Sequence, residues 1–268
     1  MTRLAFIGFG EVGQTFAKGL SGKDGVAVGA YDLEFDDAGV RGGMIARAEA
    51  LGVRVAADAA DAAREARVVI SAVTAAAAGE VAAAAARYLK PGQIFLDINS
   101  ASPNTKRTAA GNVAVSGADY VEGAVMAAVA GPGLKVHILA GGAAAQAAAD
   151  LLNPLGLNLT PVATEIGRAS ATKLSRSIVI KGIEAILVQC AAAARRWDVE
   201  ADVIASLQRT YPGIDWPSQV EYAAERVGKH GFRRAQEMRE AAAMVADLGL
   251  DPALCEGIAA VQEKGAKT

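Results

Sequence analysis

Cysteine, histidine and aromatic side chains are all scarce in this chain. Its 268 residues include two cysteines and two histidines, and aromatics make up 5%. Cys190 and Cys255 cannot form a disulfide framework, and no His/Cys/carboxylate group falls at metal-ligand spacing, so no metal centre is expected. Long basic blocks are missing as well. Lys and Arg number 27 against 29 Asp and Glu, a net charge of −2, and the pI is near 5.8. That balance does not suit a dedicated nucleic-acid partner. No stretch reaches the ~18 uncharged apolar residues of a membrane span. The runs near Val68–Ala78 and Gly123–Leu134 are too short, and Gly131, Pro132 and Gly133 interrupt the second. The apolar run after Arg3 turns into glycines within a few residues, so no signal peptide is expected. A reducing, cytoplasmic setting with neither nucleic-acid nor membrane partner follows as the default.

What the chain has is small apolar bulk. Apolar residues make up 52%, of which roughly 60 are alanine. Over the first 160 residues, short Val/Ile-rich runs alternate with Ala-rich stretches of helical length. The runs are Leu4–Gly8, Val26–Tyr31, Val53–Ala56, Val68–Val73, Ile94–Ile98, Tyr120–Met126 and Val136–Ala140. Candidate helices lie at Glu11–Leu20, Met44–Leu51, Ala59–Ala66, Ala75–Leu89, Pro103–Ala110 and Ala143–Leu152. This alternation predicts an α/β fold with a mostly parallel, doubly wound Rossmann sheet. The runs are continuous rather than alternating, as in a sheet covered on both faces. After about Pro161 β-rich runs stop. The pattern becomes one long helix over 166–196 and further helices, broken at Tyr211–Gly213, Trp216-Pro217, Gly228–Gly231 and Gly249–Pro252. The expected division is a dinucleotide-binding domain at 1–163 and an all-α domain at 164–268.

The first predicted strand ends in Gly8-Phe9-Gly10-Glu11-Val12-Gly13 and opens directly into a predicted helix. A bare G-x-G-x-x-G says little, but this context is the one it needs. Gly8 can make the tight turn, Gly10 lets backbone approach a pyrophosphate, and Gly13 lets helix and strand pack closely. The helix N-terminus offers N–H groups to an anion. Asp32 stands at the end of the second strand, 19 positions after Gly13. A carboxylate there accepts ribose hydroxyls and repels a 2′-phosphate, which favours NAD, with NADP the second choice. Glu34, Asp36 and Asp37 crowd the same loop and compete for that register. Val73 and Thr74 follow the fourth of these strands and can touch the cofactor. Thr74 reads equally well as a helix cap. Asn99 and Ser100 follow the fifth and belong near the nicotinamide.

Four landmarks in order resemble the β-hydroxyacid dehydrogenase family, the relatives of 3-hydroxyisobutyrate and 6-phosphogluconate dehydrogenases. They are GFGEVGQTFAKGL at the N-terminus, DINSASP (Asp97–Pro103), VEGAVMAA (Val121–Ala128) and GRASATKLSRS (Gly167–Ser177). The late HGFRRAQEMREAAAMVADLGLDP resembles a poorly characterised bacterial branch whose C-terminal domain is like that of 6-phosphogluconate dehydrogenase. The resemblance implies NAD(P)-dependent oxidation or reduction of a β-hydroxy compound, substrate bound between the two domains, and a homodimer. By position, the family's catalytic lysine is Lys173 and its asparagine is Ser177. A lysine can take the proton of an alcohol if burial or a neighbouring cation lowers its pKa from ~10.4. Residues 173, 177 and 181 share one helix face, and Arg176 and Lys181 lie close by. The same charges also read as a solvated face.

The departures bear on the substrate. Where the family has Ser-Gly-Gly, this chain has Met126-Ala127-Ala128, which lacks the hydroxyl and crowds the backbone. The family's C-terminal Lys-Asp pair falls near Gln236-Glu237. A larger or less acidic substrate is expected, or a carboxylate held by Arg176 or Arg233. His230, between glycines, reads either as a substrate contact or as a surface turn residue. His137 is expected in a core or partly buried strand position. Two other readings stay open: an imine reductase-like activity, which the presence of Lys173 disfavours, and a cofactor-binding protein without turnover.

Overall fold

The computed structural model describes residues 1–266. The chain divides into two compact units, Met1–Lys173 and Leu174–Thr268. The first unit holds a single eight-stranded sheet. Its strands are β1 (Thr2–Ile7), β2 (Val26–Tyr31), β3 (Arg54–Val55), β4 (Val68–Ser71), β5 (Ile94–Asp97), β6 (Asp119–Val125), β7 (His137–Gly141) and β8 (Asn158–Ala163). They lie in the order β3-β2-β1-β4-β5-β6-β7-β8. All neighbours are parallel except β6 and β7. The helices of this unit are α1 (Glu11–Leu20), α2 (Arg41–Ala50), α3 (Ala59–Ala63), α4 (Ala75–Ala85), α5 (Pro103–Ala114) and α6 (Ala145–Leu152).

The continuous apolar strands are explained by two cores. Leu4 and Phe6 of β1 join Phe16, Ile70, Leu96 and Ile138 on one face of the sheet. Ala5 and Ile7 of the same strand join Val69, Phe95 and Tyr120 on the other. Alternate side chains of one strand therefore both find apolar cover. Strand order reverses between β1 and β4, which opens a crevice at the carboxyl ends of those two strands. β8 has no counterpart among the apolar runs because it reads NLTPVA, with Pro161 inside it. Proline is tolerated there because β8 is an edge strand. His137, at the start of β7, is exposed and bonds Thr160 rather than the core.

The division between the units falls inside α7 (Arg168–Arg196). The remaining helices are α8 (Glu200–Thr210), α9 (Trp216–Asp247) and α10 (Ala253–Gly265). The second unit is entirely helical. Leu187, Ala191, Val220 and Ala223 form one apolar cluster. The expected break at Gly228–Gly231 is absent, and α9 runs through it for 32 residues. The glycine serves packing instead. A Cβ on Gly231 would collide with Gln262 O and lie 2.9 Å from Ala266 Cβ, and one on Gly265 would lie 2.5 Å from Val227 Cγ1. Glycine lets α9 and α10 approach more closely than larger residues allow. Trp216-Pro217 is likewise not a break but the first turn of α9, where proline costs no hydrogen bond. Among the described residues, α7 alone is long and apolar enough to cross a membrane. Part of it is buried in the fold, and it carries the buried charges Lys181 and Glu184.

Candidate functional site

The glycine loop after β1 has the geometry of an anion cradle. Gly8 has φ +94°, a conformation that side-chain-bearing residues avoid. A Cβ there would also run into Ala72 O and lie 2.9 Å from Val73 Cγ1. A Cβ on Gly13 would lie 2.5 Å from Gly8 O, so α1 packs on the loop only without one. Gly10 differs, because a Cβ there meets nothing within 4 Å. Its bare backbone faces open space, as a group approaching the α1 N-terminus requires. Gly10 is also the N-cap of α1 and supplies no side-chain cap. These features fit a pyrophosphate.

Asp32 is held by the same loop. Its Oδ2 accepts the Phe9 N–H at 2.5 Å and its Oδ1 accepts the Glu34 N–H at 2.9 Å. The carboxylate is therefore oriented before any ligand arrives. Phe9 contributes backbone only, since its side chain is buried and its ring lies 5.9 Å from that of Phe35. Glu11 is exposed and Val12 half-buried at the start of α1.

Across the crevice, a row of buried polar groups runs over neighbouring strands. Ser71 of β4 is in register with Asp97 of β5, Asp97 with Glu122 of β6, and Glu122 with Gly141 of β7. Asn99 ties β4 to β5. Its amide donates to Ser71 Oγ (2.9 Å) and Asp97 Oδ1 (2.7 Å), and its oxygen accepts the Val73 N–H at 2.7 Å. Both amide hydrogens are thus used within the protein. Thr74 caps α4 by accepting the Ala77 N–H at 3.3 Å. Asp97 is 1% exposed and meets the equally buried Lys106 ammonium at 2.7 Å. Tyr120 donates its hydroxyl to Asp97 Oδ2 at 2.7 Å. Burial, reinforced by the Asp97 and Glu122 charges, holds the Tyr120 phenol well above its ordinary pKa.

Ser100 follows in the loop that this network fastens. Lys173 Nζ donates to Ser100 Oγ, which joins α7 to the end of β5. Met126 is half-buried and packs against a small cluster of Ala124, Leu139 and Ala169, while Ala127 is exposed. Glu122, fully buried, accepts the N–H groups of Gly167 (2.7 Å), Ala169 (3.0 Å) and Ser170 (3.3 Å) and the Ser170 hydroxyl at 2.8 Å. It caps α7 from a neighbouring strand. A carboxylate suits that place because a helix N-terminus favours negative charge. Glu122, Lys106 and Tyr120 escaped the sequence reading. The usable signal was an acid inside an apolar strand run, which is tolerated only where donors converge on it.

Ser177, Arg176 and His230 belong to the second unit. Ser177 is 6% exposed. It donates to Glu237 Oε1 at 2.7 Å and accepts from Lys181 Nζ at 3.1 Å, and Lys181 pairs with the same Glu237 oxygen at 3.0 Å. Burial lowers the Lys181 pKa against the pull of Glu237, and the Arg234 and Arg176 charges add to the lowering. Arg176 itself is exposed. His230 is half-buried in the middle of α9 and not on a turn. No group of three or more His, Cys, Asp or Glu could hold a metal among the described residues.

Comparison with known proteins agrees with this geometry. Residues 3–163 match the NAD binding domain of 6-phosphogluconate dehydrogenase, and residues 194–265 match a domain of unknown function, DUF1932. A conserved hypothetical protein from Sinorhizobium meliloti 1021 is 42% identical, with a TM-score of 0.82 over 98% of this chain and 87% of that one. A conserved protein of unknown function, described as structurally similar to 3-hydroxyacid dehydrogenases, is 33% identical, with a TM-score of 0.76 over 98% and 96%. The 3-hydroxyisobutyrate dehydrogenase of Mycobacterium tuberculosis shares the fold at 21% identity, with a TM-score of 0.77 over 98% and 93%.

Proposed function

We propose, for a chain that belongs to the family of the 6-phosphogluconate dehydrogenase NAD-binding domain, an NAD(P)-dependent oxidoreductase acting on a β-hydroxy compound, with Lys173 handling the proton at the substrate oxygen. The observation that carries this reading is the bond from Lys173 to Ser100, at the carboxyl end of β5. Ligands of open α/β sheets bind at that end. The nicotinamide, when bound, accepts or supplies the hydride. Gly8, Gly10, Gly13 and the α1 N-terminus hold its pyrophosphate. Asp32 takes the adenosine ribose hydroxyls and makes NAD the preferred form, since a fixed carboxylate repels a 2′-phosphate.

In the oxidative direction the neutral Lys173 amine takes the hydroxyl proton, and in the reductive direction the ammonium returns it. Ser100 accepts from Lys173 through its oxygen, which leaves its own O–H for a substrate oxygen. Ser177 takes the place of the family asparagine, and Lys181 and Glu237 fix its hydroxyl. Met126 and Ala127 offer no hydroxyl to a carboxylate, so the substrate is a neutral or weakly acidic β-hydroxy compound. Arg176 is the residue to hold an acid group if one is present. The Met126-Ala127 replacement also favours a second reading, reduction of an imine, which Lys173 opposes.

Val179, Ile183 and Ile186 repeat at helical spacing on α7 and are exposed. This stripe supports a homodimer through the second unit, which a solution mass measurement tests. Free Cys190 and Cys255 fit a reducing cytoplasm. The activity test is NAD reduction by the purified chain against β-hydroxy carboxylates, sugar acids, β-hydroxy amino acids and neutral β-hydroxy compounds. Turnover is expected, strongest with the less acidic members. Firm NADH binding with no turnover on any of them would overturn the dehydrogenase reading.

A further inference from the structure

Two buried carboxylates occupy adjacent register positions, and each fastens one half of the Lys173–Ser100 pair. Asp97, with Lys106, Tyr120 and Asn99, fixes the loop that carries Ser100. Glu122, its neighbour across the β5–β6 pairing, fixes the segment that carries Lys173. The sequence makes room for this second clamp at some expense. Gly141 stands opposite Glu122, and a Cβ there would lie 2.5 Å from Glu122 Oε1. Gly167, the first donor, has φ +109°, which aims its N–H at the carboxylate from the turn before α7. Four hydrogen bonds from Gly167, Ala169 and Ser170 then converge on one side chain. Ser170 lies three residues before Lys173, a single turn of the same helix.

We propose that Glu122 is a positioning residue for Lys173: it sets where α7 begins and so brings the lysine to Ser100. This deepens the reading of Lys173 as the proton-transferring group. A merely space-filling residue would need neither charge nor four donors. Glutamine fills the same volume but turns an N–H₂ toward N–H donors that need an acceptor, so it tests the charge without removing the shape.

The experiment follows Lys173 directly. The purified chain is acylated with a limiting amine-reactive reagent over a range of pH, and labelling at each lysine is read by peptide mass spectrometry. Exposed Lys18 serves as the internal reference. In Glu122→Gln, the Lys173 labelling rate is expected to rise about fivefold as the helix start loosens and the Ser100 bond is lost. Its pH profile should move as well, while the Lys18 profile and NADH binding stay put. Glu122→Asp should restore most of the native profile. Native rate and native pH profile at Lys173 in folded Glu122→Gln would overturn the proposal. If Glu122→Gln fails to fold, Ser170→Ala removes one donor, and about a twofold rise is expected from so small a loss. No rise there would overturn the proposal equally. Labelling needs no turnover, so a chain that reduced no NAD would defeat the dehydrogenase reading while leaving this result to stand or fall alone.

Discussion

The two units bury charge in different ways. In the first, Asp97 and Glu122 sit in a single row, and each is shared among several donors: Lys106, Tyr120 and the amide and N–H of Asn99 for Asp97, and three N–H groups with the Ser170 hydroxyl for Glu122. In the second, the charges meet chiefly as ion pairs. Arg234 pairs with Glu184 and Lys181 with Glu237, leaving Arg234 Nε and Gln262 Oε1 without a partner. Burial lowers the Arg234 pKa against the pull of the Glu237 charge. A charge shared among several donors cannot be removed together with one partner without stranding the rest. A charge paired chiefly with one other side chain can.

That difference is open to attack at both ends. The largest effect is expected in the first unit. Lys106→Met should cost about 3–5 kcal/mol, because it strands a buried carboxylate. Adding Asp97→Leu should not recover that loss, because Tyr120 and Asn99 then lack their acceptor. In the second unit, Arg234→Met or Glu184→Met alone should also cost a few kcal/mol, about 3. Here the double variant should come back to within about 1 kcal/mol of native, since an apolar pair of similar volume replaces an ion pair at little net cost. Denaturant midpoints with unchanged slopes read all of these. Equal recovery in both units would break the comparison.

A smaller effect concerns the cofactor. Asp32→Ser should raise NADPH affinity relative to NADH by roughly tenfold, read by dinucleotide fluorescence. An unchanged ratio would separate Asp32 from the choice of cofactor. Alkaline titration probes the tyrosine phenols separately. Tyr31 and Tyr88 are pushed up to about 12 and Tyr120 well above its ordinary value: Tyr31 mainly by its bond to Asp36, Tyr88 and Tyr120 mainly by burial. The folded chain keeps these protons after the unfolded chain has lost them. Stability is therefore level below the ordinary tyrosine value of about 10, and it falls as pH rises from there through 12. The tyrosinate absorbance band and the unfolding midpoint should shift together over that window.

Much of this was readable in the sequence, for definite reasons. Strand–helix alternation gave the sheet, and the Gly8–Gly13 spacing gave the cradle, because both depend on local periodicity and on a backbone only glycine can adopt. β8 was hidden because Pro161 and its polar residues mask an edge strand. The Gly228–Gly231 turn was misread because a glycine that lets two helices touch looks, along the chain, like one that ends a helix. Lys173 could be placed by motif, but its support could not. Glu122 lies 45 residues before Gly167, so their bond is a product of β6 and the α7 start meeting in space.

The measurement that tests the account most directly is NAD reduction by the native chain and by Lys173→Ala, with NADH binding followed in both. A loss of about 10²–10⁴-fold in turnover, with NADH affinity held within about twofold, is the result expected of a general acid–base residue. Undiminished turnover in Lys173→Ala would contradict the central claim that this lysine carries the proton.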